Sequence, residues 1–595
     1  MIRKDKRVMK DGTAKTYIRV VEGYRPAPGK PPKQRTLKSF GYLEDQEDPE
    51  AFMREVEAFD ADPQNREQLG SLRMYGGSNR RLNYGYKYLE SIYSLLDISG
   101  FIEAYTEQQR FRGRYSIDEI FKYLVLLRIL SPCSKRASAQ QQQALYGWAL
   151  NLKLPEIYRA LDHVAAFGDS LQEHLNGVIQ KLVGRDLTYT FYDVTNYYFE
   201  TDFPDDPGQL RRRGVSKEHR VDPIVQMGLF LDSKGLPVAM SLFPGNTSDT
   251  LTLQPIMREL KAAYGLGRLV VVADKGINSG SNIDYICQNG DGYVFSQVLR
   301  GTKGKRYRKH LEDESGYVWN QEGTYKYKLF NETCTGRDAL GEKVERERRV
   351  LIYWSQAEAR MAQKKREEKL MKAEVSLRND AYGIKKGSQE YIREEVENPE
   401  SGELEAAHKR VIRSVDLEKA QKDAFYDGYF CLVTSELDYD AARIREVYGG
   451  LWKIEASFSV LKSDLDARPV HVWTQEHIRA HFLICFVALL IVRLLQHALG
   501  DKTLSAERIA RAFNAATCKV KRGGIVELDD VGGRVAFEKK PNKKGELVET
   551  LRFIEEDEVA RDFARIQEVF QTSLELVEVK QERFNRILSS IALEL

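Results

Sequence analysis

Two stretches decide the fold expected for the middle of the chain: LTYTFYDVTNYYFE at 187–200 and RLVVVADKGINS at 268–279. The first is rich in aromatic and β-branched residues, which favours a strand. The second opens with a continuous apolar run, which is typical of a strand buried on both faces of a sheet. We therefore predict two strands, with Asp193 near the end of the first and Asp274 directly after the second.

The segments around these strands complete a sheet. Residues 225–231 and 236–243 flank DSKG at 232–235, a glycine-containing sequence that predicts a β-hairpin turn. A helix is predicted at 281–288 and a further strand at 293–298. Strands, a hairpin and a crossover helix together indicate an α/β fold with a mixed sheet.

Composition separates this core from the regions around it. Residues 301–427 hold 27 Lys or Arg and 25 Asp or Glu, and strand signals resume only at 428–434, so we interpret this segment as an insertion. At roughly 100–200 residues per domain, the length predicts about three to five domains. The expected organisation begins with a basic β unit and an acidic linker (1–75), followed by a helical, DNA-binding region (76–185). The first part of the α/β core (186–300) and its second part (428–500) flank the charged insertion (301–427). A partly helical C-terminal appendage (501–595) is expected to end in a helix at about 557–593.

The N-terminal region divides into a β part and a helical part. TYIRVV at 16–21 and TLKSFGY at 36–42 flank a Pro/Gly/Lys stretch, which predicts two strands joined by a long turn. SIDE at 116–119 has the spacing of a capping box and begins a predicted helix that ends at SP, 131–132. Further helices are predicted through 138–182. This helical pattern is typical of a DNA-binding module and equally of a plain helical bundle.

Length and composition exclude several classes of protein. An apolar fraction of 42% excludes wholesale disorder. The longest uncharged apolar run, 482–492, has eleven residues, whereas a membrane-spanning helix needs about 20. MIRKDKRVMK at the N-terminus lacks the apolar stretch of a signal peptide, and the six cysteines include no CxxC pair. We therefore expect a cytoplasmic protein with no membrane partner.

Charge is distributed unevenly, although the net charge is only +3. Residues 1–40 carry twelve Lys or Arg and three acidic residues, whereas residues 41–70 carry ten acidic residues and two basic ones. Such asymmetry is typical of a basic face for a polyanion, and equally of a solvated charged surface. Nucleic acid is therefore a candidate partner.

A third carboxylate of interest is Glu455, in YGGLWKIEASFSVLKSDL at 448–465. Tyr448, Glu455 and Lys462 are each seven residues apart, so on one helix they share a stripe that drifts about 20° per step. Apolar residues form a separate stripe about 80° away, so the helix can bury one side and present the carboxylate and the ammonium to a cleft. GG at 449–450 weakens the first turn, and in the alternative interpretation Tyr448 belongs to a preceding helix.

Each acid taken alone has a simpler interpretation. Aspartate often ends a strand as a turn residue, and a Glu/Lys pair on a helix is usually a surface pair. The functional alternative is a shared site, because carboxylates at strand ends lie where α/β folds place their ligands, but position alone favours the simpler interpretations. Two carboxylates about 4 Å apart repel by about 4 kcal/mol at an effective dielectric of about 20, and a divalent cation removes that penalty. Oxygen-only ligands favour Mg²⁺ or Mn²⁺ over zinc, and two such ions suit in-line displacement at a phosphodiester.

At these residues the chain resembles the DDE transposases of bacterial insertion sequences, in the subgroup with a Tyr-x2-Arg-x3-Glu-x6-Lys signature. The resemblance covers roughly residues 186–300 and 428–495, and more weakly the N-terminal 180 residues. Four stretches carry it: DVTNYYFE at 193–200, SKEHRVDPIVQMGLFLDSKGLPVAMSLFPGNTSDTLTL at 216–253, VVVADKGINS at 270–279, and 448–462 continued by RPVHVWTQEHIRAHFLICFVALLI at 468–491.

The resemblance implies a ribonuclease-H-like core with a β-containing insertion before the glutamate helix. It implies that Asp193, Asp274 and Glu455 form a catalytic triad that binds Mg²⁺ or Mn²⁺, with two ions expected. It also implies that folding brings these three carboxylates into one pocket, because no local motif contains them.

The same resemblance implies DNA contacts on the glutamate helix. Lys462 would contact DNA near the cleaved end, and Tyr448 belongs to the same signature and is a second expected DNA-binding residue. One position departs from the pattern, since Leu451 stands where the signature has arginine. Lys453, two residues further, points roughly 200° away, so the phosphate contact of that arginine is left without an assigned residue.

A basic loop between the first strand and the hairpin is a further candidate for DNA contact. It can hold DNA phosphates near the metals, or it is a solvated loop; we favour DNA because the loop leaves the strand end of Asp193. Its basic residues are Arg211, Arg212, Arg213, Lys217, His219 and Arg220.

Three other patterns favour structural interpretations. NTSD at 246–249 is typical of a turn and helix cap. Trp319 and Trp354 fit stacking on a flipped base, but aromatic residues more often pack in a core or interface. His477 and His481 have zincin spacing without the adjacent glutamate, which disfavours zinc.

These inferences give one expected function and two alternatives. We expect a transposase that binds the terminal inverted repeats of its insertion sequence, cleaves the double-stranded DNA with Mg²⁺-activated water and joins the freed 3′-OH to target DNA. A homodimer is expected in the synaptic complex, because that complex holds two DNA ends. The alternatives are a metal-dependent nuclease of the same fold without joining activity and a catalytically silent DNA-binding protein.

Overall fold

The computed structural model places most of the chain in two compact units. Unit 1 consists of residues 1–82, 517–530 and 575–589, and unit 2 of the rest of the chain. The structure describes residues 2–9, 13–24, 33–46, 48–61, 81–141, 145–148, 151–218, 220–264, 267–378, 390–397, 410–521, 524–529, 531, 534–541, 547–555, 558–572, 574 and 578–595.

Strands and helices are numbered separately in chain order. The strands are β1 Ile2–Val8, β2 Ala14–Tyr24, β3 Lys33–Tyr42, β4 Leu82–Asn83, β5 Tyr189–Tyr198, β6 Ile224–Leu231, β7 Pro237–Pro244, β8 Val270–Ala273, β9 Gly292–Ser296, β10 Val318–Trp319, β11 Tyr325–Arg337, β12 Lys343–Ser355, β13 Ile392–Glu397, β14 Arg410–Val415, β15 Tyr429–Thr434, β16 Thr517–Lys521, β17 Ile525–Leu528, β18 Arg534–Pro541, β19 Leu547–Glu555 and β20 Glu578–Lys580. The helices are α1 Pro49–Ala61, α2 Tyr86–Leu95, α3 Ile98–Gln108, α4 Ile117–Leu130, α5 Lys135–Gln141, α6 Leu154–Ala166, α7 Gly168–Val183, α8 Leu253–Tyr264, α9 Gly280–Gln288, α10 Gly301–Gly304, α11 Arg308–Glu312, α12 Gln356–Arg378, α13 Leu417–Ala424, α14 Ala441–Gly449, α15 Trp452–Ser459, α16 Gln475–Leu499, α17 Ala506–Ala515, α18 Glu558–Val569 and α19 Gln581–Ser589.

Unit 1 begins with an antiparallel sheet of β1, β2 and β3. Ile18 and Val20 of β2 are fully buried with Val56 of α1, which gives this small sheet its core. The strands predicted at 16–21 and 36–42 are confirmed within β2 and β3. Sequence reasoning missed β1, because its charged sequence IRKDKRV lacks apolar alternation and the strand is defined by its pairing with β2. The predicted turn between β2 and β3 lies outside the described residues.

Unit 2 is built around a mixed sheet with the strand order β10-β11-β12-β15-β9-β8-β5-β6-β7. β5, β8 and β9 run parallel to one another, and the other pairings are antiparallel. All four residues of β8 are at most 3% exposed, as its continuous apolar sequence predicts. The predicted α/β class, the hairpin β6–β7 and the helix α9 are therefore confirmed.

The charged insertion extends this same sheet. Its two long strands, β11 and β12, pair along 13 residues each, and β12 then pairs with β15 of the core. The long charged helix α12 follows β12. The insertion thus contributes strands to one edge of the core sheet, and its strands β13 and β14 form a separate two-stranded sheet.

Helices α2 to α7 and the long helix α16 form the helical part of unit 2. α4 begins with Ser116 as N-cap, whose hydroxyl accepts a hydrogen bond from the Glu119 N–H at 3.1 Å, and it ends at Leu130, as predicted. α16 packs against α4 and α6. By length and composition α16 is apolar enough to cross a membrane, but 78% of its most apolar window is buried inside the protein. Burial among the helices therefore accounts for its apolar sequence.

The C-terminal prediction needs a correction. The sequence predicts one helix over about 557–593, whereas the structure has two helices, α18 and α19, with strand β20 directly before α19. Gln571 has a φ of 51°, a left-handed conformation that a continuing helix does not allow, so α18 ends shortly before it.

Candidate active site

The first two predicted acids lie at the same level of adjacent parallel strands. Phe191 of β5 is aligned with Val272 of β8, and each aspartate comes two residues after these partners. Neighbouring strands lie about 4.8 Å apart, so Asp193 and Asp274 are brought side by side by the register of the sheet. Burial raises the pKa of Asp193 to about 6; the nearby ammonium of Lys217 opposes this rise, and the charge of Asp274 adds to it.

Asp274 is held by hydrogen bonds from two neighbouring elements. Its Oδ1 accepts a hydrogen bond from the Ser296 hydroxyl, at the end of β9, at 2.7 Å. The Tyr448 hydroxyl of α14 lies 3.5 Å from the same oxygen. Burial is the main cause that raises the pKa of Tyr448, and the charges of Asp274 and Glu455 add to it. Tyr448 is therefore close to both of these acids.

Glu455 is presented by α15, which packs against β5 and β6. The close approach depends on Gly450, because a Cβ atom there would lie 2.4 Å from Cζ of the buried Phe191. On the opposite side of the helix, Lys453 donates a hydrogen bond to the carbonyl of Ser233. The Glu455 side chain is exposed and makes no hydrogen bond or ion pair with the described residues. Its carboxylate is thus available for a ligand.

Lys462 lies on the same face of β5 as Asp193. Its Nζ donates a hydrogen bond to Thr195 Oγ1 at 2.6 Å, and residues two apart on a strand share a face. Burial lowers the pKa of Lys462 to about 8, with the charge of Lys217 contributing and that of Asp193 opposing.

The prediction that Tyr448, Glu455 and Lys462 share one helical stripe is wrong. Tyr448 belongs to α14, Glu455 to α15 and Lys462 to a π-helical turn, Val460–Asp464, that follows α15. The break at 449–450 confirms the alternative interpretation, and the π-turn changes the direction of Lys462 relative to Glu455. Tyr448 reaches the region of the aspartates through Asp274 and Lys462 through Thr195 of β5, whereas Glu455 is exposed on α15.

The carboxylates of Asp193, Asp274 and Glu455 are chemically suited to bind a divalent cation, but they do not form a complete metal site in this structure. Within the part of the chain that the structure describes, no three His, Cys, Asp or Glu side chains converge closely enough to hold a metal ion. Asp193 lies near the ammonium of Lys217, and Asp274 is held by hydroxyl groups. Three carboxylates with oxygen ligands only still fit Mg²⁺ or Mn²⁺, and Glu455 has no competing partner.

Sequence reasoning missed a fourth carboxylate near this site. Asp249, assigned to a turn by its NTSD pattern, starts the short 3-10 turn Asp249–Leu251. Its carboxylate is 3.9 Å from Lys217 Nζ, and its charge contributes to the raised pKa of Asp193. Lys217 also donates a hydrogen bond to the carbonyl of Val194. No local pattern distinguishes Asp249 from an ordinary turn aspartate, because only the fold brings it to β5.

The other residues of the basic loop differ in their surroundings. Arg211 forms an ion pair with Asp205 and lies over the Trp473 ring at 5.1 Å, and Arg212 donates to the Asp205 carbonyl. Arg213 donates to the Asp202 carbonyl at 2.8 Å. These contacts stabilise the loop itself, and the predicted DNA contacts of the three arginines stay predictions.

Two members of the basic loop remain. Arg220 lies 3.8 Å from the centroid of the Tyr198 ring, at the end of β5. His219 lies outside the described residues. Their DNA contacts also stay predictions.

The histidines and tryptophans singled out in the sequence make the following contacts. His477 stacks on Tyr158 and lies 3.1 Å from Asp162, whereas the buried His481 is hydrogen-bonded to the carbonyl of Ala467 at 3.2 Å, so the two rings have different partners. In the insertion, Trp354 donates a hydrogen bond to the Asp427 carbonyl and packs 6.1 Å from the half-exposed Trp319.

Two family models match this chain. The model described as "Transposase DDE domain" matches residues 206–491, a range that includes Asp274, Glu455 and Lys462 and begins after Asp193. The model described as "IS1634 family transposase, N-terminal domain" matches residues 2–68. The two matches together span more than half of the chain, and the chain belongs to the DDE transposases of bacterial insertion sequences.

Among solved structures, two transposase complexes show remote similarity. The cryo-EM structure of the piggyBac transposase synaptic complex with hairpin DNA has 9% identity and a TM-score of 0.34, covering 74% of this chain and 81% of that chain. The Mos1 transposase paired-end complex with the left transposon end has 15% identity and a TM-score of 0.13, covering 30% of this chain and 57% of that chain. Both TM-scores are low, so neither similarity supports a further conclusion about this chain. No curated protein sequence matches it.

Proposed function

We propose that this transposase binds the terminal inverted repeats of its insertion sequence, cleaves the DNA with the help of divalent metal ions and joins the freed 3′ ends to target DNA. The observation that carries the proposal is the register of β5 and β8, which places Asp193 and Asp274 at one level beside the helix of Glu455. Membership of the DDE transposases supports the same chemistry.

We infer that the core is ribonuclease-H-like. The order β7-β6-β5-β8-β9 supports this inference, with an antiparallel meander of β5, β6 and β7 followed by two strands parallel to β5. In this arrangement Asp193, in the middle of β5, lies level with the carboxyl ends of β8 and β9, where Asp274 and Ser296 are found.

The residues proposed to hold Mg²⁺ or Mn²⁺ are Asp193, Asp274 and Glu455. When bound, two such ions activate the attacking oxygen and stabilise the leaving oxygen of a phosphodiester. The chain itself supplies positive charge beside the acids through Lys217 and Lys462, which favours binding of a DNA strand there.

Binding of the DNA outside the active site is proposed for two further regions. The helical region 76–185 and the basic N-terminal β unit are the candidates, in line with the uneven charge of the sequence and the match to a transposase N-terminal domain. We further propose that the protein acts in the cytoplasm as a homodimer within a synaptic complex, because joining two element ends needs two active sites.

A strand-transfer assay tests the proposal. Pre-cleaved duplexes that carry the terminal inverted repeat are incubated with the full chain and Mg²⁺, and joined products are expected. Cleavage of uncut ends without any joining would instead identify a nuclease. The Asp193→Asn variant should lose cleavage and retain DNA binding; if the wild type binds the ends but neither cuts nor joins them, the chain is a catalytically silent DNA-binding protein.

A further inference from the structure

One carboxylate near Lys462 is surrounded by positive side chains. The guanidinium of Arg468 contacts the carboxylate of Glu218, and Lys462 Nζ lies 3.8 Å from the same carboxylate. Nε of Arg220 lies 4.0 Å from the other oxygen of Glu218. We refer to Lys462, Arg468 and Arg220 as the cation cluster.

Arg468 is placed by the backbone on both sides of it. The Ala467 N–H donates to the Leu461 carbonyl at 2.9 Å, and the Val470 N–H donates to the Tyr198 carbonyl, at the end of β5, at 3.0 Å. The segment after the π-turn is therefore fixed to the strand that carries Asp193. Arg468 is held near Lys462 by these bonds, and its position does not depend on Glu218 alone.

A second contact fixes the backbone just before Arg468. The guanidinium of Arg128, from helix α4, donates to the carbonyls of Leu465 and Asp466, both at 3.3 Å. Arg128 is 5% exposed, so this contact is shielded from solvent. Lys462 and Arg468 are therefore held on an anchored backbone, which favours pre-organised anion binding, whereas Arg220 joins them from the basic loop.

Glu218, like Arg220, belongs to the basic loop and lies outside the helices and strands, in contrast to the anchored segment that carries Arg468. Its N–H donates to the Ser216 hydroxyl at 3.2 Å, a contact within the loop. A carboxylate and a phosphate present similar anionic oxygens to guanidinium and ammonium groups. The three positive charges of the cation cluster face two carboxylates, since Arg220 also lies 3.5 Å from Asp222, so one positive charge is left over for a more highly charged or additional anion.

We propose that Lys462, Arg468 and Arg220 form a binding site for one backbone phosphate of DNA, and that the Glu218 carboxylate occupies this site until DNA displaces it. The inference rests on the proposed function, since it names the part of the same site that receives the DNA strand. Leu451, at the position where the transposase signature has arginine, is 7% exposed and brings no charge here. Arg468, in the segment that follows the π-helical turn, supplies a guanidinium beside Lys462 instead.

DNA binding as a function of salt tests the proposal. The full chain is titrated, without divalent ions, against a labelled duplex that carries the terminal inverted repeat, at salt concentrations from about 50 to about 200 mM. Each phosphate neutralised contributes about −0.9 to the slope of log K against log salt. Arg468→Gln should therefore make the slope less steep by about 0.9, and Arg468→Lys should restore most of it.

Glu218→Gln gives the opposite expectation, because it removes the competing anion. Its affinity for the duplex should rise about 2- to 5-fold, the range that corresponds to loss of a partly exposed ion pair. The matched controls are Arg308→Gln and Glu312→Gln, which break an exposed Arg–Glu pair in the insertion at 2.7 Å and should change neither the slope nor the affinity.

Unchanged or weaker binding by Glu218→Gln, or an unchanged slope in a folded Arg468→Gln variant, would overturn the phosphate site. If Arg468→Gln does not fold, the Glu218→Gln result decides alone. A wild-type chain that does not bind element ends would instead refute the proposed function, so the two failures are distinguishable.

Discussion

Gly450 offers a sharp test of how the glutamate helix is positioned. A Cβ atom at this residue would lie 2.4 Å from Cζ and 2.8 Å from Cε1 of Phe191. The Phe191 ring is 2% exposed on β5, two residues before Asp193, so it cannot move aside into solvent. Gly450→Ala therefore forces α15 away from the strand that carries the first aspartate.

The structure gives the size of the expected effect. Overpacking a well-packed core costs typically about 1–3 kcal/mol, and we expect the free energy of unfolding to fall by that amount. A displacement of about 1 Å in a catalytic group lowers the rate by about 100-fold, so cleavage should fall even in the folded fraction. Urea unfolding and single-turnover cleavage of an element-end duplex measure the two effects separately.

Gly449 provides a matched control for the same substitution. No atom lies within 4 Å of a Cβ built at Gly449, and this residue ends α14. Gly449→Ala should leave cleavage unchanged and is stabilising by up to about 1 kcal/mol, because alanine has the higher helix propensity. Phe191→Leu should partly rescue Gly450→Ala by making space. Equal stability and equal cleavage of the two Gly→Ala variants would refute the proposed role of the contact.

Further predictions concern the surroundings of the acids and the stability of the sheet. Ser296→Ala removes the 2.7 Å hydrogen bond to Asp274 and should lower cleavage about 10- to 100-fold with little change in melting temperature, whereas Tyr448→Phe removes only a 3.5 Å contact and should have the smaller effect. Arg185→Gln breaks a buried ion pair with Asp232 at 3.1 Å and should destabilise the protein by about 3–5 kcal/mol in urea unfolding; Glu418→Gln, in an exposed pair with Lys422, should cost less than about 1 kcal/mol. Chelation of divalent ions should abolish cleavage while the element-end duplex remains bound in a gel-shift assay; cleavage that persists in chelator would contradict the proposed metal dependence.

The strands of the core could be predicted because their sequences carry strong local signals. The apolar run before Asp274 and the glycine-containing turn at 232–235 each fix one element without help from the rest of the chain. β1 and the division of the C-terminal helical stretch could not be predicted in this way. A charged edge strand is defined by its partner, and α18 ends shortly before Gln571, a single residue with positive φ.

Part of the candidate site could also be predicted from local sequence signals. Asp274 follows from its position directly after β8, whereas Asp193, expected near the end of its strand, lies in the middle of β5. Glu455 could be assigned only through the transposase signature, because the seven-residue spacing wrongly placed it on one helical stripe with Tyr448 and Lys462. Asp249 and Arg468 are brought to this region by the pairing of distant segments. Such residues have no local signal, because their role depends on the tertiary fold.

The addition of β11 and β12 to the core sheet has a consequence for any shortened form of this protein. β12 covers the backbone N–H and C=O groups of β15 along Tyr429–Thr434. Deleting the insertion would leave that flank of β15 unpaired, and an unpaired strand of this apolar sequence, YFCLVT, invites pairing with other copies of the chain. A trimmed catalytic core should therefore aggregate unless the β11–β12 hairpin is kept. Removing only α12, β13, β14 and α13 would leave β15 paired with β12.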